Sequence, residues 1–237
     1  MSCRISRRAI LPVLAAGLAL TFVSAPVAAG PQTDRVLPME EYRSDKARQL
    51  AATYAPALDG LNTHLYYCLP WIEVQRHSIG FYKPKNAVGD DRYLSLRLYI
   101  EQDASPEFTS MPLPQRASAM FSRYVGTLLR QMTRDRRLLD DPAVGGFAVI
   151  LEWRKHGVQG VDHRPVHETI AVFMEKPLVA GYLKRTITVR DLAARARVLA
   201  FDGETHLGPI VIAGWDDDFV RTYKVANYEL PPEMSCD

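Results

Sequence analysis

Arg92-Tyr93-Leu94-Ser95-Leu96-Arg97-Leu98-Tyr99-Ile100-Glu101 decides the fold class of this chain. Leu94, Leu96, Leu98 and Ile100 alternate strictly with Tyr93, Ser95, Arg97, Tyr99 and Glu101. Successive side chains of a strand point to opposite faces, so this period of two predicts a strand with one face buried and the other at least partly wet. Residues 72–82 read as a less regular partner strand before it, joined through a turn-like stretch at 83–91.

The segment that follows changes period. Ala117, Met120, Phe121, Tyr124, Val125, Leu128, Leu129 and Met132 recur at spacings of three and four, which makes one apolar stripe on a long helix from 112 or 113 to 137. Asp140, Asp141 and Pro142 end it. Gly145-Gly146 then opens a strand with Phe147, Val149, Leu151 and Trp153 on one face. A β-branched and aromatic strand at 166–175 pairs with it as a long-looped antiparallel hairpin. A short helix at 177–184 follows, and Thr188 with Asp191 can cap another. A last hairpin turns at Asp202-Gly203. Upstream, Tyr42, Ala47, Leu50, Ala51 and Tyr54 share the face of a helix expected at 39–54, broken by Pro56. A second, shorter helix holds Leu58, Leu61 and Leu65. The expected fold is therefore α+β: a mainly antiparallel sheet packed against one long amphipathic helix as a two-layer sandwich, with an N-terminal helical segment.

Residues 1–29 read as a cleaved signal peptide. Arg4, Arg7 and Arg8 precede an uncharged run to Ala29, and Val27-Ala28-Ala29 supplies small residues for cleavage. Pro12 and Pro26 bracket an apolar run shorter than the roughly 20 residues a membrane-spanning helix needs. Ser6-Arg7-Arg8-Ala9-Ile10-Leu11 also resembles the twin-arginine export signal, although Pro12 stands where a lysine is common. Residues 30–37 read as a flexible lead-in and 38–237 as a single domain. The full chain carries net charge +2, and the three arginines of the leader take that to −1 in the mature protein. A near-neutral domain has no global field for nucleic acid, so none is expected as a partner. Cys68 and Cys236 remain after cleavage and are expected to form a disulfide in an oxidising compartment.

Three constellations could carry chemistry. His156, His163 and His167 fall within twelve residues, flanked by Asp162 and Glu168. His163, His167 and Glu168 are a plausible zinc ligand set. Pro165 between the two histidines denies them helical spacing, and an ordinary solvated loop explains the same residues. Arg116, Arg123, Arg130 and Arg137 recur every seven residues on the long helix, with Arg134 alongside. A period of seven drifts only about 20° per step, so these arginines are expected to form a basic ridge for an acidic partner or anionic ligand. Asp216-Asp217-Asp218 lacks the spacing of a calcium loop and reads as a solvated acidic turn. Nucleophile-elbow, S-x-x-K and H-E-x-x-H patterns do not occur. The functional expectation is an exported soluble protein of the bacterial cell envelope, a non-enzymatic binding or accessory protein without a bound cofactor. Its partner is expected to be an envelope protein or an anionic ligand. The alternative is an exported metal-assisted hydrolase using His163, His167 and Glu168.

Overall fold

The computed structural model describes residues 30–85, 89–101, 105–159, 163–215 and 236. The leader at 1–29 and the acidic turn at 216–218 lie outside them. In chain order the elements are helix α1 (Asp45–Cys68), strands β1 (Ile72–Val74), β2 (Gly80–Tyr82) and β3 (Arg92–Ile100), and helices α2 (Pro106–Ser110), α3 (Leu113–Met120), α4 (Gly126–Met132) and α5 (Arg137–Asp140). Strands β4 (Val144–Gln159) and β5 (Pro165–Glu175), helices α6 (Lys176–Leu183) and α7 (Val189–Arg195), and strands β6 (Arg197–Asp202) and β7 (Thr205–Pro209) complete them. No helix among the described residues is long and apolar enough to cross a membrane.

The sheet is mainly antiparallel, as expected, but it is mixed, because one pair is parallel. Its order is β1-β3-β4-β5-β6-β7, with β2 also paired to β3, and every pairing is antiparallel except β3 with β4. Lengths explain the exception. The nine residues of β3 extend about 30 Å at 3.3 Å each. A single helical rod, α3 and α4 joined by a wide π-turn at Phe121–Val125, follows β3. Its 20 residues also span about 30 Å at 1.5 Å each. The rod carries the chain back to the end at which β3 began, so β4 must run parallel to β3.

One face of the sheet is core. Leu94, Leu96, Leu98 and Ile100 of β3 lie beside Phe147, Val149, Leu151 and Trp153 of β4. Met174, Val172 and Ile170 of β5 continue those rows, and all eleven are at most 2% exposed. The helices pack on this side: residues of α1, α3, α4, α6 and α7 join the same buried cluster. The single covering helix expected from the sequence is replaced by several: α1, the α3–α4 rod, α6 and α7 all contribute to this layer.

At α1 the sequence expectation of two helices gives way to one, with Pro56 inside it. Proline removes one backbone bond and costs about 3 kcal/mol or more in a helix interior. The stripe Leu50, Tyr54, Leu58, Leu61 and Leu65 is buried on both sides of Pro56. Each such side chain contributes roughly 1.5–3 kcal/mol on burial, so the stripe outweighs the break. The helix starts at Ser44, whose Oγ accepts from the Ala47 amide and from the buried Arg92 guanidinium. The expected flexible lead-in is pinned as well. Val36 bridges to Ile79, Leu37 N–H donates to the Ile79 carbonyl at 2.9 Å, and Asn62 donates to the Gln32 carbonyl at 2.8 Å.

Past β7 the chain returns to the helical side. The amides of Ala213 and Trp215 donate to the hydroxyls of Ser118 and Ser122 on the rod, at 2.9 and 2.8 Å. Gly214 sits so close to the Val189 and Arg190 backbone that any Cβ there would collide with it. Cys236 is bonded to Cys68 at the end of α1, with their Cα atoms 5.5 Å apart and 168 positions between them in sequence.

Closing so long a loop restricts the unfolded chain, and removing the bond costs about 2–5 kcal/mol. Urea denaturation of the oxidised protein and of Cys68→Ser/Cys236→Ser is expected to differ by that amount; equal midpoints refute the bond's contribution. A second outcome concerns alkaline pH. Burial and the Asp141 carboxylate it donates to push the Tyr54 hydroxyl up to about 12, and burial raises Tyr42, Tyr82, Tyr93 and Tyr99 too. Unfolded tyrosines ionise near pH 10 while these stay protonated. The unfolded state then binds fewer protons, so stability falls as pH rises past about 10. Ultraviolet titration of tyrosinate is expected to midpoint higher in the folded protein than in denaturant.

Candidate functional site

The other face of the sheet carries no helix among the described residues, and its side chains stand outside the buried cluster. Tyr93, Ser95, Arg97 and Tyr99 of β3 belong to it by alternation. Beside them lie Gly146, Ala148, Ile150 and Glu152 of β4, then Glu175, Phe173, Ala171 and Thr169 of β5, then Arg197, Leu199 and Phe201 of β6. The middle is floored by small residues. Ser95, Ala148 and Ala171 are buried. Tyr93, Tyr99, Ile150, Phe173, Leu199 and Phe201 are half-buried around that floor. The face is a shallow trough with an aromatic and aliphatic rim.

One end of the trough is a hydrogen-bonded network. The Glu152 carboxylate accepts from Arg97 Nη2 at 2.8 Å and lies 3.0 Å from His167 Nδ1. The contact holds the imidazole beside the carboxylate in one orientation. The His167 ring packs against Tyr99 with centroids 5.0 Å apart. Burial, followed by the Glu101 carboxylate, raises the Tyr99 hydroxyl, which therefore stays a neutral donor near pH 7. Phe201 and His206 make a similar ring pair at the β6–β7 edge, 5.0 Å apart. The opposite end of the trough opens into a cleft where β3, β4, β5 and β6 meet the start of α6.

The residues singled out by sequence fall in other places. His167 faces the trough, whereas Glu168, next to it on β5, faces the core, as strand alternation requires. Glu168 is 2% exposed, and its carboxylate is filled by Arg116 and by Trp153 Nε1 at 2.9 Å. His163 sits on the exposed hairpin tip before β5, and His156 is exposed on β4. The structure thus does not bring His163, His167 and Glu168 together, and no metal-ligating cluster occurs among the described residues.

The arginines do not make a ridge either. Arg116 turns inward to Glu168. Arg123, half-buried, lies over the Tyr124 ring, 5.3 Å from its centroid. The wide turn at Phe121–Val125 absorbs one residue, and one residue is about 100° of helix rotation. Arg130 therefore leaves the line of Arg116 and meets Thr127 and the Tyr182 hydroxyl. The rod ends at Met132, where the Thr133 hydroxyl donates to the Leu129 carbonyl. Arg137 stands on α5, paired to Asp135 and over the Tyr54 ring. Tyr93, Arg97 and Tyr99 were legible as an amphipathic outer face. Glu152, Phe173, Glu175 and Arg197 were missed, although reading the alternate positions of β4, β5 and β6 in the same way finds them.

Glu168 and Arg116 together fix the rod to the sheet. Removing one partner leaves a buried charge uncompensated, so Glu168→Ala is expected to cost about 3–5 kcal/mol. The double variant Arg116→Met/Glu168→Leu is expected to recover most of it. Chemical denaturation of the three proteins checks this, and a double variant as unstable as the single one refutes the pairing.

No family model matches the chain, and no curated protein or solved structure matches it.

Proposed function

We propose that the chain is an exported protein of the cell envelope that acts by binding, and that the uncovered trough is its contact surface. The observation that carries the reading is the trough itself, an aromatic-rimmed sheet face with a pre-organised Arg97–Glu152–His167 network and no layer packed on it among the described residues. Tyrosine and arginine combine large contact area with hydrogen-bonding tips, the composition enriched at protein interfaces. Export draws its support from the leader pattern at 1–29 and from the Cys68–Cys236 bond, which persists in oxidising compartments. Binding is favoured over metal-assisted hydrolysis because Glu168, the only carboxylate in the proposed ligand set, already neutralises Arg116 in the core. The partner that fits is an envelope protein presenting apolar surface with acidic groups at its edge, opposite Arg97 and the exposed Arg154 of β4, which lies across from His167.

Mass spectrometry of the native protein is expected to find Gly30 as the amino terminus. An intact Met1 on material from the cytoplasm refutes export. Affinity purification then compares the mature protein with Arg97→Glu/Tyr99→Ala, which alters the trough, and with Arg130→Glu on the helical side. The co-purifying partner is expected to vanish with the first variant and persist with the second. An unchanged set in all three refutes the trough as the contact surface.

A further inference from the structure

The cleft at the trough's far end has a volume of about 630 Å³, within the range of small-molecule sites. Asp91, Tyr93, Phe173, Glu175, Arg195 and Arg197 line it, with Gly145 in the floor and Pro177 closing one end. Its construction starts from a glycine pair. Tyr93 of β3 and Glu175 of β5 flank Gly146 of β4 in one cross-strand row. A Cβ at Gly146 would stand 2.7 Å from the Tyr93 ring, so glycine lets that ring lean over the β4 backbone. Gly145 is the extra residue where the β3–β4 register shifts, and a Cβ there would stand 2.6 Å from Asp91 Cβ. The two glycines thus seat an aromatic ring and a carboxylate directly on the sheet. Phe173 stands one row further along, with the Arg197 guanidinium 4.9 Å over its ring.

The charges around the ring discriminate between ligands. Two carboxylates, Asp91 and Glu175, oppose two guanidiniums, Arg195 and Arg197, so neither a simple anion nor a simple cation is favoured. Burial, then the Glu175 carboxylate, raises the Tyr93 hydroxyl, which remains a donor at neutral pH. A peptide strand is disfavoured as well. The cleft lies over interior strands whose backbone groups are spent on the β3–β4 and β4–β5 ladders, leaving none for strand addition. What remains is a neutral ligand with a flat apolar face and a periphery of mixed donors and acceptors. A pyranose ring has that form. Its axial C–H groups pack on an aromatic face, while vicinal hydroxyls donate to carboxylates and accept from guanidiniums.

We propose that this cleft binds saccharides, with Tyr93 as the stacking platform and Asp91, Glu175, Arg195 and Arg197 as the hydroxyl-reading groups. The proposal goes beyond the binding reading above, because it assigns a ligand of another class to the cleft at the trough's far end. Calorimetry and saturation-transfer NMR of the mature protein against cellotriose, chitotriose, maltotriose and xylotriose, with trialanine as control, test it. At least one trisaccharide is expected to bind and trialanine is not. Tyr93→Ala is expected to weaken that saccharide about tenfold, the equivalent of a lost stacking contact, while Tyr93→Phe stays near the parent. Arg130→Glu, on the helical side, is expected to leave saccharide affinity unchanged, and capture of the protein partner is scored separately, so loss of partner capture and loss of saccharide binding are distinguishable. No binding by any of the four trisaccharides overturns the proposal. Binding indifferent to Tyr93→Ala, or Tyr93-dependent binding of trialanine, overturns it equally.

Discussion

The architecture depends on one constraint: the four aliphatic side chains of β3 must leave water together, and alternation sends the residues between them the opposite way. Leu94, Leu96, Leu98 and Ile100 are buried beneath helices, and Tyr93, Arg97 and Tyr99 are carried outward by the same backbone. Neighbouring strands inherit the rule through their register. Each apolar row on the core side has its counterpart on the other side, and that counterpart is the trough.

The helical side is closed by polar contacts as much as by packing. Glu168 ties the start of α3 to β5, Ser118 and Ser122 hold the returning chain on the rod, and Cys68 anchors residue 236 to α1. Buried polar groups are tolerated only when their bonds are made. In this layer the serines do so twice, each donating to a carbonyl four residues earlier and accepting from a downstream amide. These contacts draw charge and hydrogen-bonding capacity inward, to the side of the sheet opposite Tyr93, Arg97 and Tyr99.

Much of this was legible in the sequence, for physical reasons that vary by element. The alternation of β3, the start of β4 at its glycine pair, the Thr188–Asp191 capping box and the Cys68–Cys236 bond are local or chemically exclusive signals, and each is present in the structure. The parallel β3–β4 pairing was not legible, because it follows from the match in length between a strand and a helical rod. The continuity of α1 through Pro56 was missed because a local rule was outweighed by burial on both sides of it. The arginine period misled for a similar reason: one wide turn at Phe121–Val125 and the helix end at Met132 break a pattern that is regular only in sequence.

Where the site is concerned, proximity in sequence and proximity in space part company at the strand. His167 and Glu168 are adjacent along the chain, yet the sheet separates them completely, one oriented by Glu152 in the trough and the other neutralising Arg116 in the core. Glu152 and His167 are fifteen positions apart and share a contact because the β4–β5 hairpin places Arg154 opposite His167 and Glu152 opposite Thr169. On a sheet, a set of chemical groups can be read from sequence only after register and face are assigned. Once they are, small residues become as informative as charged ones. Gly146, Ala148 and Ala171 have no chemistry of their own, but they make the depression into which Tyr93, Phe173 and the charges around them face.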